Sequence, residues 1–216
     1  THVCAEGTLG IVVEATLKIF EAPATEVGMY AFAEQADGVE ALQRLSALEP
    51  YYLTCLNRGF TEMLNQVGEH FRDAALTIAF AFRGSEAYCK HMTGLAREAC
   101  AKGTAYSRRD ALHEWHNRFA TGLAHKRLGP TLMVQEFRIP LRFLGECLED
   151  LDREMASEPW GFESLASDND TVTLVIMTLT DERDRVDLLQ KFSQAGWVPP
   201  IGLRHHGEVN GIGLHN

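Results

Sequence analysis

Residues 171–179, Thr-Val-Thr-Leu-Val-Ile-Met-Thr-Leu, are the most strand-like stretch of the chain. They combine β-branched residues with a long apolar run, which is typical of a buried β-strand. Asp181 follows directly and predicts the N-cap of a helix that continues through Phe192 to a stop at Gly196. We therefore expect residues 171–179 to lie inside a sheet.

Upstream of this strand, short apolar runs and amphipathic helices alternate. The patterns predict strands at 8–20, 27–34, 51–56, 74–82 and 131–139, and helices at 37–48, 60–71, 85–102, 108–124 and 141–155. Several connections are short, and no glycine-rich phosphate loop follows a strand, which disfavours a parallel dinucleotide-binding sheet. The order favours the α+β class: an antiparallel sheet covered by helices, mainly on one face, in a duplicated ferredoxin-like arrangement.

The composition narrows the class of protein. The chain has 216 residues, enough for a substantial core, and a formal net charge of −10, which disfavours a nucleic-acid partner. No stretch reaches the roughly 20 apolar residues of a membrane span. The five cysteines are scattered without a C-x-x-C pair, which favours ordinary thiols in a reducing, cytoplasmic compartment. Because the chain begins at Thr1 without a leader pattern, we expect a fragment of a longer protein.

A glycine-containing motif lies near the N-terminus. Residues 5–18 are Ala-Glu-Gly-Thr-Leu-Gly-Ile-Val-Val-Glu-Ala-Thr-Leu-Lys, and glycines flanking Thr-Leu let the backbone present amide N–H groups to a ligand at close range. The run resembles the closing signature of the flavin domain in FAD-linked oxidases of the vanillyl-alcohol oxidase type. This family includes the glycolate oxidase flavin subunit, D-lactate dehydrogenase and alkyl-dihydroxyacetone-phosphate synthase. The match departs at Cys4-Ala5, where the family usually has Gly-Ser.

The resemblance implies a division of the chain and a cofactor. Residues 1–22 would be the C-terminal tail of a FAD-binding domain, and residues 23–216 the substrate-side, or cap, domain. FAD would be bound mainly by a further domain upstream, so the isolated fragment is expected to be inactive. The implied flavin contacts are Glu6, Gly7, Thr8, Gly10 and Ile11.

A second, weaker part of the resemblance begins at Trp115. The pattern Trp-x-x-Arg is followed by residues 134–140, Val-Gln-Glu-Phe-Arg-Ile-Pro, with Glu136 where the family usually has Asp. In relatives that oxidise D-2-hydroxy acids the matching arginine binds the substrate carboxylate, which a guanidinium can pair bidentately. The resemblance therefore implies a substrate-binding role for Arg118. The alternative is a surface arginine on an amphipathic helix.

A third part is the C-terminal run 205–213, His-His-Gly-Glu-Val-Asn-Gly-Ile-Gly. It is similar to the family's Gly-Glu-His-Gly-Ile-Gly element and to the His-His-His-Gly-[Ile/Val]-Gly of the synthase. Glu208 matches a substrate-binding position, and Asn210 falls where the catalytic histidine is expected. His205 and His206 would then supply the base, a task suited to imidazole near neutral pH. The alternative is an exposed, histidine-rich tail.

Metal-dependent relatives carry two histidines in a segment that corresponds here to residues 162–172, and both are absent. We therefore expect no metal at that site. His113 and His116 are expected to be a solvated pair. Residues 168–170, Asp-Asn-Asp, are expected to form a turn rather than a calcium loop, because the glycine and distal glutamate of such a loop are missing.

The resemblance predicts a FAD-dependent oxidoreductase that acts on the CH–OH group of a small 2-hydroxy acid by hydride transfer to flavin. Its predicted partners are a carboxylate substrate and its own FAD-binding domain, with a possible homodimer. One alternative is a synthase-like reaction on a glyceryl-phosphate ester, for which Arg204 is the evident basic group near the histidines. Another is a non-catalytic ferredoxin-like binding or assembly module.

Overall fold

One antiparallel sheet runs through the described part of the chain. The computed structural model describes residues 11, 13–19, 21–129, 131–156, 159–166, 170–180 and 208–210. Within these residues the sheet has eight strands in the order β4-β1-β3-β2-β6-β7-β5-β8. The strands are β1 (Ala24–Phe32), β2 (Tyr52–Asn57), β3 (Leu76–Gly84), β4 (Thr104–Ala105), β5 (Thr131–Pro140), β6 (Trp160–Ala166), β7 (Thr171–Thr180) and β8 (Glu208–Asn210). The helices are α1 (Gln35–Ser46), α2 (Arg58–Gln66), α3 (Glu86–Ala99), α4 (Arg108–Asn117), α5 (Thr121–Ala124) and α6 (Leu144–Glu154).

The sheet consists of two halves with the same strand order. The first four strands are arranged β4-β1-β3-β2 and the last four β8-β5-β7-β6, and all neighbouring strands are antiparallel. The halves meet where β2 pairs with β6. This is the duplicated ferredoxin-like arrangement, so the predicted α+β fold is confirmed.

Helices cover both faces of the sheet, whereas the sequence pattern placed them mainly on one face. On the first face α1, α3 and α6 enclose a single core with side chains from both halves of the sheet. On the second face α4 packs against β1, and α2 against β6. The reason is visible in β3, where residues 76–82 are all buried, so both of its faces carry residues that need cover. None of the helices in the described ranges is long and apolar enough to cross a membrane.

The predicted strand at 8–20 is wrong for its described residues. Residues 11 and 13–19 form no strand, and the side chains of Ile11, Val13, Leu17 and Ile19 are 79–92% exposed. Alternating apolar and polar residues show that a segment can form a strand. The strand is stabilised only when neighbouring strands form hydrogen bonds with its backbone groups. No described strand lies beside this segment.

Two predicted helices end earlier than expected. α2 ends at Gln66 because Gly68 adopts a positive φ of 105°, which terminates the helical turn. The helix predicted at 108–124 is divided into α4 and α5. At the break, Arg118 Nη1 donates a hydrogen bond to the Trp115 carbonyl, one of the last carbonyls of α4.

The start of α1 also differs from the predicted capping box. The helix begins at Gln35, so Asp37 lies in its first turn instead of capping it. The Asp37 carboxylate is bound by Lys102 Nζ at 2.8 Å. By contrast, Ser85 caps α3 as expected, since its hydroxyl accepts a hydrogen bond from the Tyr88 amide at 3.2 Å.

Two glycines allow α2 to lie directly against β6. A Cβ added at Gly161 would lie 2.5 Å from the backbone nitrogen of Phe60, and one at Gly59 would lie 2.0 Å from the carbonyl oxygen of Trp160. Asn57 joins the same elements, because its Oδ1 accepts hydrogen bonds from the amides of Phe60 at 3.1 Å and Phe162 at 2.9 Å. Backbone thus meets backbone with no room for a side chain.

We therefore expect Gly161→Ala to lower the free energy of unfolding by about 1–3 kcal/mol, because the new methyl group overpacks a rigid contact. The measurement is urea denaturation of the chain. The control is Gly94→Ala on α3, where a Cβ meets nothing within 4 Å, and where alanine is favoured over glycine by up to about 1 kcal/mol. Equal stability of Gly161→Ala and wild type would contradict the contact.

Candidate functional site

Part of the second face lies outside the apolar clusters of the core. Its residues are exposed or half-buried and belong to β5, β6 and β7. We call this area the open face and define it as Val134, Glu136, Arg138, Leu165 and Thr173. Val134 and Leu165 are 37% and 41% exposed. The open face is thus a flat sheet surface that presents apolar and polar side chains together.

The edge strand β8 brings two of the predicted site residues beside the open face. In the pairing of β5 with β8, Glu208 lies opposite Arg138, and Asn210 lies opposite Glu136. Of the other sequence-predicted residues, Ile11 is 92% exposed. His205, His206, Glu6, Gly7, Thr8 and Gly10 lie outside the described residues. Their roles stay predictions.

Arg118 lies at the break between α4 and α5 and is held between two aromatic rings. Its guanidinium carbon is 3.7 Å from the Trp115 ring centroid and 4.4 Å from that of Phe119. Trp115 is itself fixed by edge contacts to Tyr51 and Tyr52. A stacked guanidinium has a defined plane, which favours directional pairing with an anion. The Arg118 side chain is half-buried against the two rings, and its role in substrate binding stays a prediction.

Two buried carboxyl groups on the second face were missed by the sequence analysis. Glu114 on α4 is only 4% exposed, and its Oε1 accepts a hydrogen bond from the Tyr52 hydroxyl at 3.4 Å. Glu163 on β6 is half-buried and is paired in register with Val175. Glu114 was detectable, because it follows the buried Ala111 by three residues and so faces the sheet. Glu163 was not, because β6 itself had not been predicted.

Burial disfavours the ionised form of both carboxyl groups. It raises the pKa of Glu114 to about 7, and the charge of Glu69 adds to this, whereas the Tyr52 hydrogen bond acts against it. Burial also raises the pKa of Glu163 to about 7, with a further contribution from the charge of Glu114. Burial raises the pKa of Tyr52 as well, so its hydroxyl remains a donor. The two carboxyl groups, unlike the Tyr52 hydroxyl, can therefore gain and lose protons near neutral pH.

A cavity of about 360 Å³ lies beside Glu114, between α4 and the segment that follows α2. Its lining includes Met29, Glu69, Arg109, His113 and Glu114. At its edge His113 Nε2 lies 2.9 Å from Glu69 Oε2. The cavity connects a buried carboxyl group to solvent.

His113 and His116, the expected solvated pair, are both exposed. His113 also contacts Glu69, as described above. Within the described ranges no group of three histidine, cysteine or acidic side chains could hold a metal ion. Of the predicted turn at 168–170, Asp170 forms a bend, and the other two residues lie outside the described ranges.

The fold defines a class: a duplicated ferredoxin-like α+β domain, in which the open face belongs to none of the apolar clusters of the described residues. Neither a family model nor a curated protein matches the sequence. Solved structures do match. A crystal structure of p-cresol methylhydroxylase with substrate bound aligns over 75% of this chain and 40% of its own, with a TM-score of 0.60 and 14% identity.

Two further solved structures have the same fold. Alkyldihydroxyacetonephosphate synthase aligns over 93% of this chain and 44% of its own, with a TM-score of 0.59 and 14% identity. The isoeugenol complex of 4-ethylphenol oxidase from Gulosibacter chungangensis aligns over 81% of this chain and 44% of its own, with a TM-score of 0.62 and 10% identity. The chain spans less than half of their length and has their fold over the aligned part.

The buried carboxyl groups make stability depend on pH. An unfolded glutamate titrates near 4.3, so folding raises the pKa of Glu114 and the folded state binds the proton more tightly. The free energy of unfolding is therefore expected to fall as pH rises from about 4.3 to 7. Glu114→Gln cannot ionise, so its stability relative to wild type should increase between pH 5 and pH 8, by up to about 3 kcal/mol.

Thermal unfolding at pH 5 and pH 8 measures this difference. The control is Glu62→Gln, at an exposed position on α2. This variant should change the stability by the same amount at pH 5 and at pH 8. Parallel behaviour of Glu114→Gln and wild type would contradict the buried carboxyl group.

Proposed function

We propose that the chain is the substrate-side domain of a FAD-dependent oxidoreductase that acts on the CH–OH group of a small 2-hydroxy acid. The open face supports this proposal. The first face is filled by three helices and a continuous core, whereas Val134 and Leu165 on the second face are 37% and 41% exposed in the described part of the chain. The proposed partner is the protein's own FAD-binding domain, as the resemblance implies.

The described residues of the open face suit a flavin ring. The ring is flat and needs an apolar surface with a few polar groups at fixed positions. Val134 and Leu165 provide apolar area, while Glu136, Arg138 and Thr173 provide polar groups on the same strands. FAD, when bound, supplies an acceptor for the hydride that leaves the carbinol carbon. The backbone amides of residues 6–11 are the proposed contacts on the other side.

Within this proposal Arg118 binds and orients the substrate. Its stacking between Trp115 and Phe119 fixes the plane of the guanidinium, and a fixed fork pairs with a carboxylate through two hydrogen bonds. Binding of the substrate carboxylate would determine which face of the carbinol carbon points toward the flavin. Glu208 is a further proposed substrate contact, and His205 or His206 is the sequence candidate for the base.

We keep one second candidate, a synthase-like reaction on a glyceryl-phosphate ester. The observation that favours it is the extent of the alignment, since the synthase structure covers 93% of the chain. A phosphate ester needs cationic groups. Arg138 of the open face is one such group; Arg118 and Arg204 are further sequence candidates.

The proposal is tested with the full-length protein that contains the upstream domain. We expect a yellow protein whose flavin absorbance is bleached anaerobically by one or more 2-hydroxy acids. Arg118→Ala should raise the KM for that acid by roughly 10- to 100-fold, because a charge-assisted hydrogen bond contributes about 1.5–3 kcal/mol. Arg118→Lys should recover part of the loss.

The matched control is Arg142→Ala. Arg142 also stacks on a neighbouring aromatic ring, Phe143, at 4.7 Å, but it lies in the turn before α6 and should leave KM unchanged. A colourless full-length protein would contradict the proposal. Reaction with a glyceryl-phosphate ester but with no hydroxy acid would favour the synthase candidate, and retained FAD without either reaction would favour a binding module.

A further inference from the structure

We propose that the cavity beside α4 binds a small organic cation, an ammonium group on an apolar body, with Glu114 as the anchor. The cavity shares no residue with the open face, so this site is separate from the one under the proposed function. Its volume of about 360 Å³ lies within the range of about 300–1,000 Å³ that is usual for small-molecule pockets. Fixed walls, a buried acceptor without a donor and an excess of carboxyl groups support the proposal.

Hydrogen bonds fix the walls of the cavity before any ligand binds. In the segment after α2, the Asn65 side chain accepts a hydrogen bond from the Phe71 amide at 2.7 Å and donates one to the Phe71 carbonyl at 2.9 Å. The Arg72 amide donates to the Tyr106 hydroxyl at 2.8 Å, and the Tyr106 amide donates to the Met29 carbonyl at 2.9 Å. Phe71 and Met29 both line the cavity. A pocket with preformed walls loses little conformational entropy when it binds a ligand.

Glu114 provides the cavity with a buried hydrogen-bond acceptor. The residue lines the cavity and is only 4% exposed. Its Oε1 accepts the hydrogen bond of the Tyr52 hydroxyl at 3.4 Å, whereas its Oε2 has no hydrogen-bond donor among the described residues. A buried carboxylate oxygen without a donor costs free energy. A ligand that brings an N–H donor into the cavity removes this cost.

Two further carboxyl groups line the same cavity, those of Glu69 and Asp110. Glu69 Oε2 lies 2.9 Å from His113 Nε2, and Asp110 Oδ2 accepts a hydrogen bond from the Ser107 hydroxyl at 2.7 Å. In the part of the chain that the structure describes, the second oxygen of each of these carboxyl groups has no donor. The lining therefore has acceptor capacity that its own side chains do not use.

The balance of charge favours a cation over an anion. Against these three carboxyl groups, Arg109 is the single arginine or lysine among the described lining residues. No three histidine, cysteine or acidic side chains of the described ranges could hold a metal ion, so the carboxyl groups suit a larger cation with directional donors. An ammonium group carries three N–H donors. Met29 and Phe71 are apolar lining residues and suit an aromatic body attached to that group.

Calorimetric titration of the full-length protein with benzylammonium tests the site. We expect a Kd of roughly 0.1–1 mM, which is usual for a ligand of this size. Benzyl alcohol and benzoate, the neutral and anionic compounds of similar shape, should bind at least about tenfold more weakly, because they lack the cationic donor. Glu114→Gln should weaken the binding of benzylammonium by roughly 10- to 100-fold and leave that of benzyl alcohol unchanged. The control is Glu62→Gln, at an exposed position on α2, which should keep the wild-type affinity.

Proton release provides a second readout of the same contact. Burial raises the pKa of Glu114 to about 7, and a bound ammonium group favours the ionised carboxylate. Binding of benzylammonium should therefore release a proton at pH 6 and little at pH 8, measured as the dependence of the binding enthalpy on the buffer. The titratable side chains near Glu114 are Tyr52 on β2, Glu69 before β3, His113 on α4 and Glu163 on β6. The release should be lost in Glu114→Gln and kept in Glu69→Gln, whose affinity should fall only severalfold.

Several results would overturn the site. One is the absence of saturable binding of benzylammonium to the wild-type protein, and another is equal affinity in wild type and Glu114→Gln. Binding that survives Glu114→Gln and changes the flavin absorbance of the FAD-loaded protein would place the ligand at the flavin instead. If Glu114→Gln does not fold, Glu69→Gln decides the question, because an unchanged affinity in that variant would also overturn the site.

Discussion

The pairing of β2 with β6 is the interaction on which the rest of the structure depends. It consists of three residue pairs, from Thr54 with Leu165 to Leu56 with Glu163, and side chains reinforce it. Ser164 accepts a hydrogen bond from the Cys55 amide at 3.1 Å, while its own carbonyl accepts one from the Thr54 hydroxyl at 2.8 Å. Without this short ladder there would be two separate four-stranded sheets.

The two halves share a strand order but differ in how their second faces are used. In the first half α4 covers the sheet, and Val27, Met29 and Ala81 are buried beneath it. In the second half β5 presents Val134 and Arg138 as exposed residues. Within the described residues, the first half is therefore more fully covered on this face than the second half. The border between them lies at Glu163, where a carboxyl group is partly withdrawn from water.

The sequence predicted the fold class and most elements, because apolar periodicity determines which residues must be buried. It did not predict β6, since Gly161, Glu163 and Ser164 interrupt the apolar pattern there, and their positions are explained by contacts with α2 and β2. The polar site was harder still. Glu163 and Glu114 are 49 residues apart in sequence, and only the sheet order places β6, which carries Glu163, beside β2, whose Tyr52 hydroxyl contacts Glu114. Arg118, by contrast, was predicted from a local pattern of the sequence.

The continuous core on the first face determines how the molecule unfolds. Phe82 from one half and Phe162 from the other belong to the same buried cluster, as do Leu42 of α1 and Leu148 of α6. Neither half can melt without exposing apolar surface of the other to water. The two halves should therefore unfold together. A substitution that weakens the pairing of β2 with β6 should lower the stability of both halves.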